Sequence, residues 1–244
     1  MSGADAADRR ELRDHAREIK FLLDAGVGQR VVEWMRANLT PDPCGTGPHG
    51  DEYQIASLYF DTPTYDTYYG RRSYGRSKYR IRQYGGANII FLERKFRTDR
   101  LLAKRRTAVH IREMQLLEPA DMDPAWKGYW FHRRILLRSL RPVIQLSYDR
   151  TARLGTSETG PLRLTADRNL RALPMPDRAF IPGTGFPVLE DKTILELKYR
   201  IALPVAVRQF LQDCGLTNGK VSKYRLGLSA LDLTPPAQPD VGYA

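Results

Sequence analysis

Through much of this chain apolar and charged residues alternate with a period of two, the signature of strands with one buried and one polar face. The pattern is clearest in SKYRIRQY (77–84), where Lys78, Arg80 and Arg82 share one face and Tyr79 and Ile81 take the other. Gly85-Gly86 supplies a turn. Residues 88–98 and 101–111 repeat the habit, grouping Glu93, Lys95 and Arg97 on the second strand and Lys104 and Arg106 on the third. Further strands are expected at 17–24 (Glu18 with Lys20), 55–61 (largely apolar), 141–153 (Tyr148 with Arg150), 161–173 (Arg163, Thr165 and Asp167 together) and 193–200 (Glu196, Lys198 and Arg200). Helical spacing predicts helices over 27–39, ended by Pro41, over 126–140, and over 204–214, which starts at a proline and closes at Gly215. Residues 62–70 read as a turn and a short helix, and 224–231 as a final apolar segment.

The short connections make the strands mostly antiparallel, giving an α+β chain of eight or nine strands with three or four helices. If the apolar faces form the core with the helices outside, the charged faces converge inside a closed barrel, which also removes free strand edges. The result is a tunnel lined by cations.

Charge sharpens this picture. Residues 71–112 hold fourteen Lys or Arg against only Glu93 and Asp99, while the rest of the chain carries 25 basic and 26 acidic residues and the whole is +11. An ordinary solvated face mixes signs, because like charges across an antiparallel pair repel. A face of one sign requires a polyanion or an internal counter-charge. Arg94, Arg100 and Arg105 fall on the opposite register or in a turn and are read as solvated.

The 244 residues, 42% hydrophobic, suit one domain over 13–233, with 1–12 and the proline-rich 234–244 expected to be disordered. Residues 1–12 lack the apolar stretch of a signal peptide, and no apolar run reaches bilayer length, so a cytoplasmic location is expected. A separate membrane partner stays open. Two cysteines, Cys44 and Cys214, argue against a disulfide framework or a cysteine zinc site. The four histidines lack metal-ligand spacing, and there is no P-loop sequence. Nucleic-acid phosphates would suit the basic stretch, but the aromatic residues are spread among core positions with no stacking platform, so DNA is not expected as a partner.

Nine ordered segments carry a resemblance: EIKF (18–21), SLYFD (57–61), YYGR (68–71), YRIRQYGG (79–86), FLERK (91–95), YDRTA (148–152), RLTAD (163–167), ILELK (194–198) and KVSK (220–223). Together they resemble the catalytic domain of the vacuolar transporter chaperone (VTC) polyphosphate polymerases, within the triphosphate tunnel metalloenzymes that also include the CYTH triphosphatases. The resemblance implies a closed antiparallel eight-stranded β-barrel, the triphosphate tunnel, with flanking helices. It implies transfer of the γ-phosphate of ATP to a growing polyphosphate chain, with Mn²⁺ or Mg²⁺. By similarity Lys20, Arg80, Arg82 and Lys95 form the catalytic set. Arg71, Lys104, Arg150, Arg163 and Lys223 match phosphate-binding positions, Tyr148 and Ser222 smaller polar contacts, and Glu196 the metal-binding carboxylate, with Lys198 beside it. Glu18, Glu93 and Asp167 are further acids on tunnel-facing registers. Phosphoryl transfer suits such a lining, since it needs charge neutralisation and alignment more than covalent help. The CYTH signature Glu-x-Glu-x-Lys is AREIK (16–20) here and lacks its first Glu, which favours the polymerase branch without fixing the reaction. A hydrolase of inorganic or nucleoside triphosphates, and a non-catalytic binder of polyphosphate or nucleic acid, remain alternatives.

Overall fold

The computed structural model describes residues 9–12, 17–97, 102–118, 122–158, 160–175, 178–181 and 185–233, with the backbone alone at 9–12 and 102. In chain order the elements are β1 (Arg9–Leu12), β2 (Arg17–Asp24), α1 (Ala25–Asn38), β3 (Thr40–Pro41), β4 (Glu52–Asp61), α2 (Asp66–Tyr69), β5 (Ser77–Tyr84), β6 (Ile89–Arg97) and β7 (Leu102–His110). A 3₁₀ helix (Ile111–Leu117) follows, then α3 (Tyr129–Leu137), β8 (Arg141–Ser157), β9 (Gly160–Pro174), β10 (Phe186–Pro187), β11 (Lys192–Tyr199), α4 (Val205–Asp213) and α5 (Lys223–Ala230). No helix among the described residues is long and apolar enough to cross a membrane.

The strands form one antiparallel sheet of eleven, ordered β1-β7-β6-β5-β4-β8-β9-β11-β2, with short β3 on β8 and β10 on β9. Eight long strands, β7 through β2, make the working surface. That surface is strongly curled. Lys95 on β6 and Glu18 on β2 are six strand steps apart along the order, a span of roughly 29 Å in a flat sheet. Their side chains nevertheless meet at 2.9 Å.

The convex side carries the hydrophobic layers. Leu58, Phe60, Tyr79, Ile81, Ile90 and Leu92 pack beneath the 3₁₀ helix and α3 through Met114, Leu117, Phe131 and Ile135. On the other half, Phe21, Leu23, Leu162, Leu164, Leu195 and Leu197 pack beneath α1 and α4 through Val31, Val32, Met35, Val207 and Leu211. These outward residues alternate with the charged set, as the period of two demands. α5 packs on the concave side: its Tyr224 and Leu228 join Ile55, Tyr59, Ile144, Leu146 and Tyr148.

Two expectations need correction. Among the described residues the barrel is not closed by backbone hydrogen bonds, because β7 spends its free edge on β1 and β2 ends the order at the other side. Four residues, 13–16, join β1 to β2, so the seam spans at most roughly 18 Å at that point. Residues 9–12, expected to be disordered, form β1 and pair with Leu102–His110. The tail at 234–244 lies outside the described residues.

Asp61, at the end of β4, fixes α5 against the sheet. Its carboxylate accepts from the backbone N–H groups of Thr62 (2.8 Å), Thr67 (2.8 Å) and Tyr68 (3.0 Å) and from the Tyr224 hydroxyl. Asp61 is fully buried, and Tyr224 is 2% exposed. Asp61→Ala would strand these donors away from water and is expected to cost about 3 kcal/mol. That corresponds to a fall of roughly 6–12 °C in Tm for a chain of this size, measured by thermal unfolding; an unchanged Tm would remove Asp61 from this role.

Candidate functional site

Register places the inward side chains in rows. Lys78, Lys95 and Lys104 stand directly opposite one another on β5, β6 and β7. The next row is Tyr59, Arg80, Glu93 and Arg106, and the next Ser57, Arg82 and Phe91. Across the concavity, Lys20 opposes Glu196 and then Thr165, while Glu18 opposes Lys198 and then Arg163. Asp167 opposes Arg150. Among the described residues, and short of the exposed Arg97 at the end of β6, eleven cations share this face with Glu18, Glu93, Asp167 and Glu196, and Asp42 supplies a fifth carboxylate at Arg163.

Each acid is shared. Glu93, 2% exposed, takes Arg80 Nε and Arg106 Nε at 2.6 Å each and Lys104 Nζ at 3.2 Å. Asp167 accepts a two-pronged bond from Arg150 (2.6 and 2.7 Å) and binds Lys223 Nζ at 2.6 Å. Glu18 holds Lys20 (3.0 Å) and, across the curl, Lys95 (2.9 Å). Glu196 holds Lys198 (2.9 Å) and Lys20 (3.5 Å). Two cations depart from this rule. Arg82, 5% exposed, donates to Ser57 Oγ (3.1 Å) and the Tyr148 hydroxyl (3.0 Å), and Lys78 donates to Ser222 Oγ (3.2 Å). Their partners are neutral oxygens, and neither is ion-paired to a described carboxylate. Ser222 also caps α5, accepting from the Arg225 N–H, so the positive end of that helix and Lys223 enter the same space.

The electrostatics follow from burial against charge. Burial lowers Lys78, with Lys20, Arg225 and Lys95 adding to it, to about 8. Burial, Arg106 and Arg80 bring Lys104 to about 8 despite Glu93. Lys95 is lowered by burial in the same sense. Burial and Glu196 would raise Glu18, but Lys20, Lys95 and Lys198 outweigh them and hold it at about 2. Burial likewise opposes ionisation of Asp167, and Arg150 and Lys223 pull it to about 2. Glu93 and Glu196 lie well below the usual carboxylate range for the same reason. The buried Tyr59 phenol is drawn down to about 8 by Arg80 and Arg82.

The residues singled out from sequence mostly meet here: Lys20, Arg80, Arg82, Lys95, Lys104, Tyr148, Arg150, Lys198, Ser222, Lys223, Glu18, Glu93, Asp167 and Glu196 belong to this linked set. Arg163 lies on the same face but is bound to Asp42 (2.7 Å) and the Tyr53 hydroxyl (2.9 Å). Arg71 sits elsewhere, in the turn after α2, bonded to Asp66 and Thr64 and lying 4.7 Å from the Tyr69 ring centre. Lys78 and Arg106 are site residues not singled out, although the period of two already put them beside Arg80 and Lys104. Tyr59 and Ser57 gave no signal, being small or aromatic members of an apolar strand. Arg94 and Arg105, read as solvated, are half-buried instead, lying over Phe96 (4.9 Å) and Trp130 (4.4 Å) on the convex side.

For a divalent ion the donor set is sparse. Among the described residues no group of three His, Cys, Asp or Glu could hold one. Glu18 and Glu196 converge on a single ammonium, Lys20 Nζ, so two carboxylates are within reach of one point. Such a pair fits Mg²⁺ or Mn²⁺ that completes its coordination with phosphate oxygens and water.

Comparison with known proteins agrees with this architecture. A presumed adenylate cyclase from Bacillus halodurans has a TM-score of 0.53 at 17% identity, covering 87% of this chain and 95% of that one. HpAC1 from Hippeastrum, described as having a dominant triphosphatase activity, gives 0.46 at 16% identity, covering 88% and 95%. PH1819 from Pyrococcus horikoshii gives 0.46 at 13%, covering 87% and 99%. The first of these likenesses is one of fold. No curated protein sequence matches. The family model of the VTC domain matches residues 15–232, nearly the whole length, and the chain belongs to that family.

Proposed function

We propose that this protein is a polyphosphate polymerase, which moves the γ-phosphate of ATP onto inorganic polyphosphate held within the curl. One observation carries the reading: Lys78, Lys95 and Lys104 stand in register on adjacent strands, and two rows further along β5 Arg82 is matched only by neutral oxygens. Such a row is self-repelling and calls for an anion with several closely spaced charges. Condensed phosphate has that form.

The chemistry can be written with these side chains. A terminal oxygen of the acceptor chain attacks the γ-phosphorus, the bond to the β–γ bridging oxygen breaks, and its electron pair leaves on ADP. Arg80, Arg82 and Arg106 would grip non-bridging oxygens with planar forks, and the lysines would act as point charges. Glu196 with Glu18 would hold the divalent ion, which neutralises charge on the phosphate oxygens it touches. The acceptor oxygen is already ionised, so no base is required. This suits a lining whose carboxylates lie far below neutrality, where they are weak bases.

Hydrolysis of the same triphosphate is the second reading. It is favoured by the buried Tyr59 hydroxyl, drawn down to about 8, whose phenolate form could take a proton from water. Product analysis separates the two. Pure protein with ATP and Mn²⁺ or Mg²⁺ is expected to release ADP and build chains retained on a polyacrylamide gel. Orthophosphate without chains would favour hydrolysis, and neither product would leave a binding module.

Arg82→Gln is expected to reduce kcat/KM by about 100-fold or more. Because the guanidinium is matched by neutral groups, its removal leaves no orphaned carboxylate, and Tm is expected to stay the same or rise. A variant with full activity would exclude Arg82 from the reaction.

Binding should also depend on pH in a defined sense. In the free protein Lys78 and Lys104 give up their protons near pH 8, and bound phosphate raises those values. Binding therefore takes up protons above about pH 8, and affinity for tripolyphosphate falls as pH rises there, by up to about tenfold per unit for each lysine. Calorimetric titrations at several pH values in buffers of different ionisation heat read this directly, and Lys78→Met should flatten the slope. An affinity unchanged from pH 7.5 to 9.5 would count against both lysines as phosphate ligands.

A further inference from the structure

The cation ladder does not end where the strands do. Along β5 the inward register runs Arg82, Arg80 and Lys78, and Arg76 follows, exposed, in the turn that leads into the strand; along β6 the register runs Lys95 and then Arg97, also exposed. The two terminal arginines are neighbours, since the Arg97 N–H donates to the Arg76 carbonyl at 2.8 Å. Arg97 stands roughly 7 Å beyond Lys95 along β6, so the cation row reaches the rim, where Arg76 joins it.

Beyond that rim, on the convex side, lies a second group. Arg94 donates to Ser77 Oγ (3.2 Å) and lies over Phe96. Arg138, at the end of α3, donates to Ser73 Oγ (2.6 Å) and lies 4.4 Å from the centre of the Tyr74 ring. Arg134 is exposed one helical turn before it. Burial lowers Arg94, and the nearby charges of Arg134 and Arg138 lower it further. The partners of Arg94 and Arg138 are hydroxyls and aromatic faces, and none of Arg76, Arg94, Arg97, Arg134 and Arg138 is ion-paired to a described carboxylate.

We propose that Arg94, Arg134 and Arg138 form an outer subsite for condensed phosphate, joined to the bore over Arg76 and Arg97, so that a long chain is held at both places at once. The proposal rests on the reading of the bore as a phosphate site. It gives a use to cations on the convex side of the sheet, which a triphosphate held inside the curl would not touch. Single-stranded nucleic acid is the competing polyanion. The aromatic rings here are covered by arginines rather than presented to bases, which favours phosphate without bases.

The test compares tripolyphosphate with long-chain polyphosphate by calorimetry. The native protein is expected to bind the long chain roughly tenfold tighter or better, through the effective concentration that the first contact creates. R94Q/R134Q/R138Q should lose that excess while keeping its affinity for tripolyphosphate. Because Arg94 and Arg138 are half-buried, R76Q/R97Q, at two exposed positions, gives an independent arm that should lose part of the excess at unchanged Tm. Long-chain affinity unmoved in both variants, with tripolyphosphate bound normally, would overturn the outer subsite alone. Failure of the native protein to bind tripolyphosphate would overturn the bore reading and this one together. An oligonucleotide that displaces long polyphosphate from the outer arginines at lower concentration would reassign the surface and overturn the proposal.

Discussion

The structure is governed by repulsion among cations gathered on the concave face of one sheet. Two unit charges about 5.5 Å apart at an effective dielectric constant of 20 repel by about 3 kcal/mol, and burial adds to this by removing water. The protein answers differently for its two kinds of cation. Arginine cannot shed its proton, and Arg80, Arg106 and Arg150 each receive a carboxylate at 2.6 Å. Lysine can shed its proton, and Lys78 and Lys104 are left at the edge of doing so. Most of the fixed charges are thus compensated internally, Arg82 excepted, and Arg82 with these two adjustable lysines is what waits on an external anion.

This inverts the usual arrangement of a small barrel, in which the interior is filled with apolar side chains. Here the apolar faces lie outward, and helices must cover them: α3 and the 3₁₀ helix over one half, α1 and α4 over the other. The curl is held by those two layers and by side chains that reach across it, such as Lys95 to Glu18. α5 is the exception that proves useful. It fills the concave side where the lining turns apolar, anchors to Asp61 through Tyr224, and so fixes Ser222 and Lys223 against the charged region.

Much of this was legible before any coordinates. A period of two identifies strands and their faces without long-range information, which is why Lys78, Arg80 and Arg82 could be grouped from eight residues. The helices were legible from spacing and punctuation, as with the proline before α4 and the glycine after it. Pairing between distant segments was not. Nothing local says that Arg163 meets Asp42, or that β1 takes the edge of β7 and leaves the barrel open as a seam. Burial of the convex arginines is only partly local: the ring over Arg105, Trp130, comes from α3, whereas the ring over Arg94, Phe96, lies two residues along its own strand.

The balance of charge bears on how many phosphate groups the site is built for. Eleven concave cations face five carboxylates once Asp42 is counted, an excess of six. The compensated cations cluster around single acids, so the excess is spread along the bore rather than focused at one point. A site meant to bind one triphosphate and split it with water has no use for so extended an excess, and further charge would slow the release of its products. A site that must hold a donor triphosphate and an acceptor chain end to end needs it, because both bring charge to the same space and repel each other there. On the reading proposed above, this extended excess suits transfer better than hydrolysis, a ground separate from the weak basicity of the carboxylates.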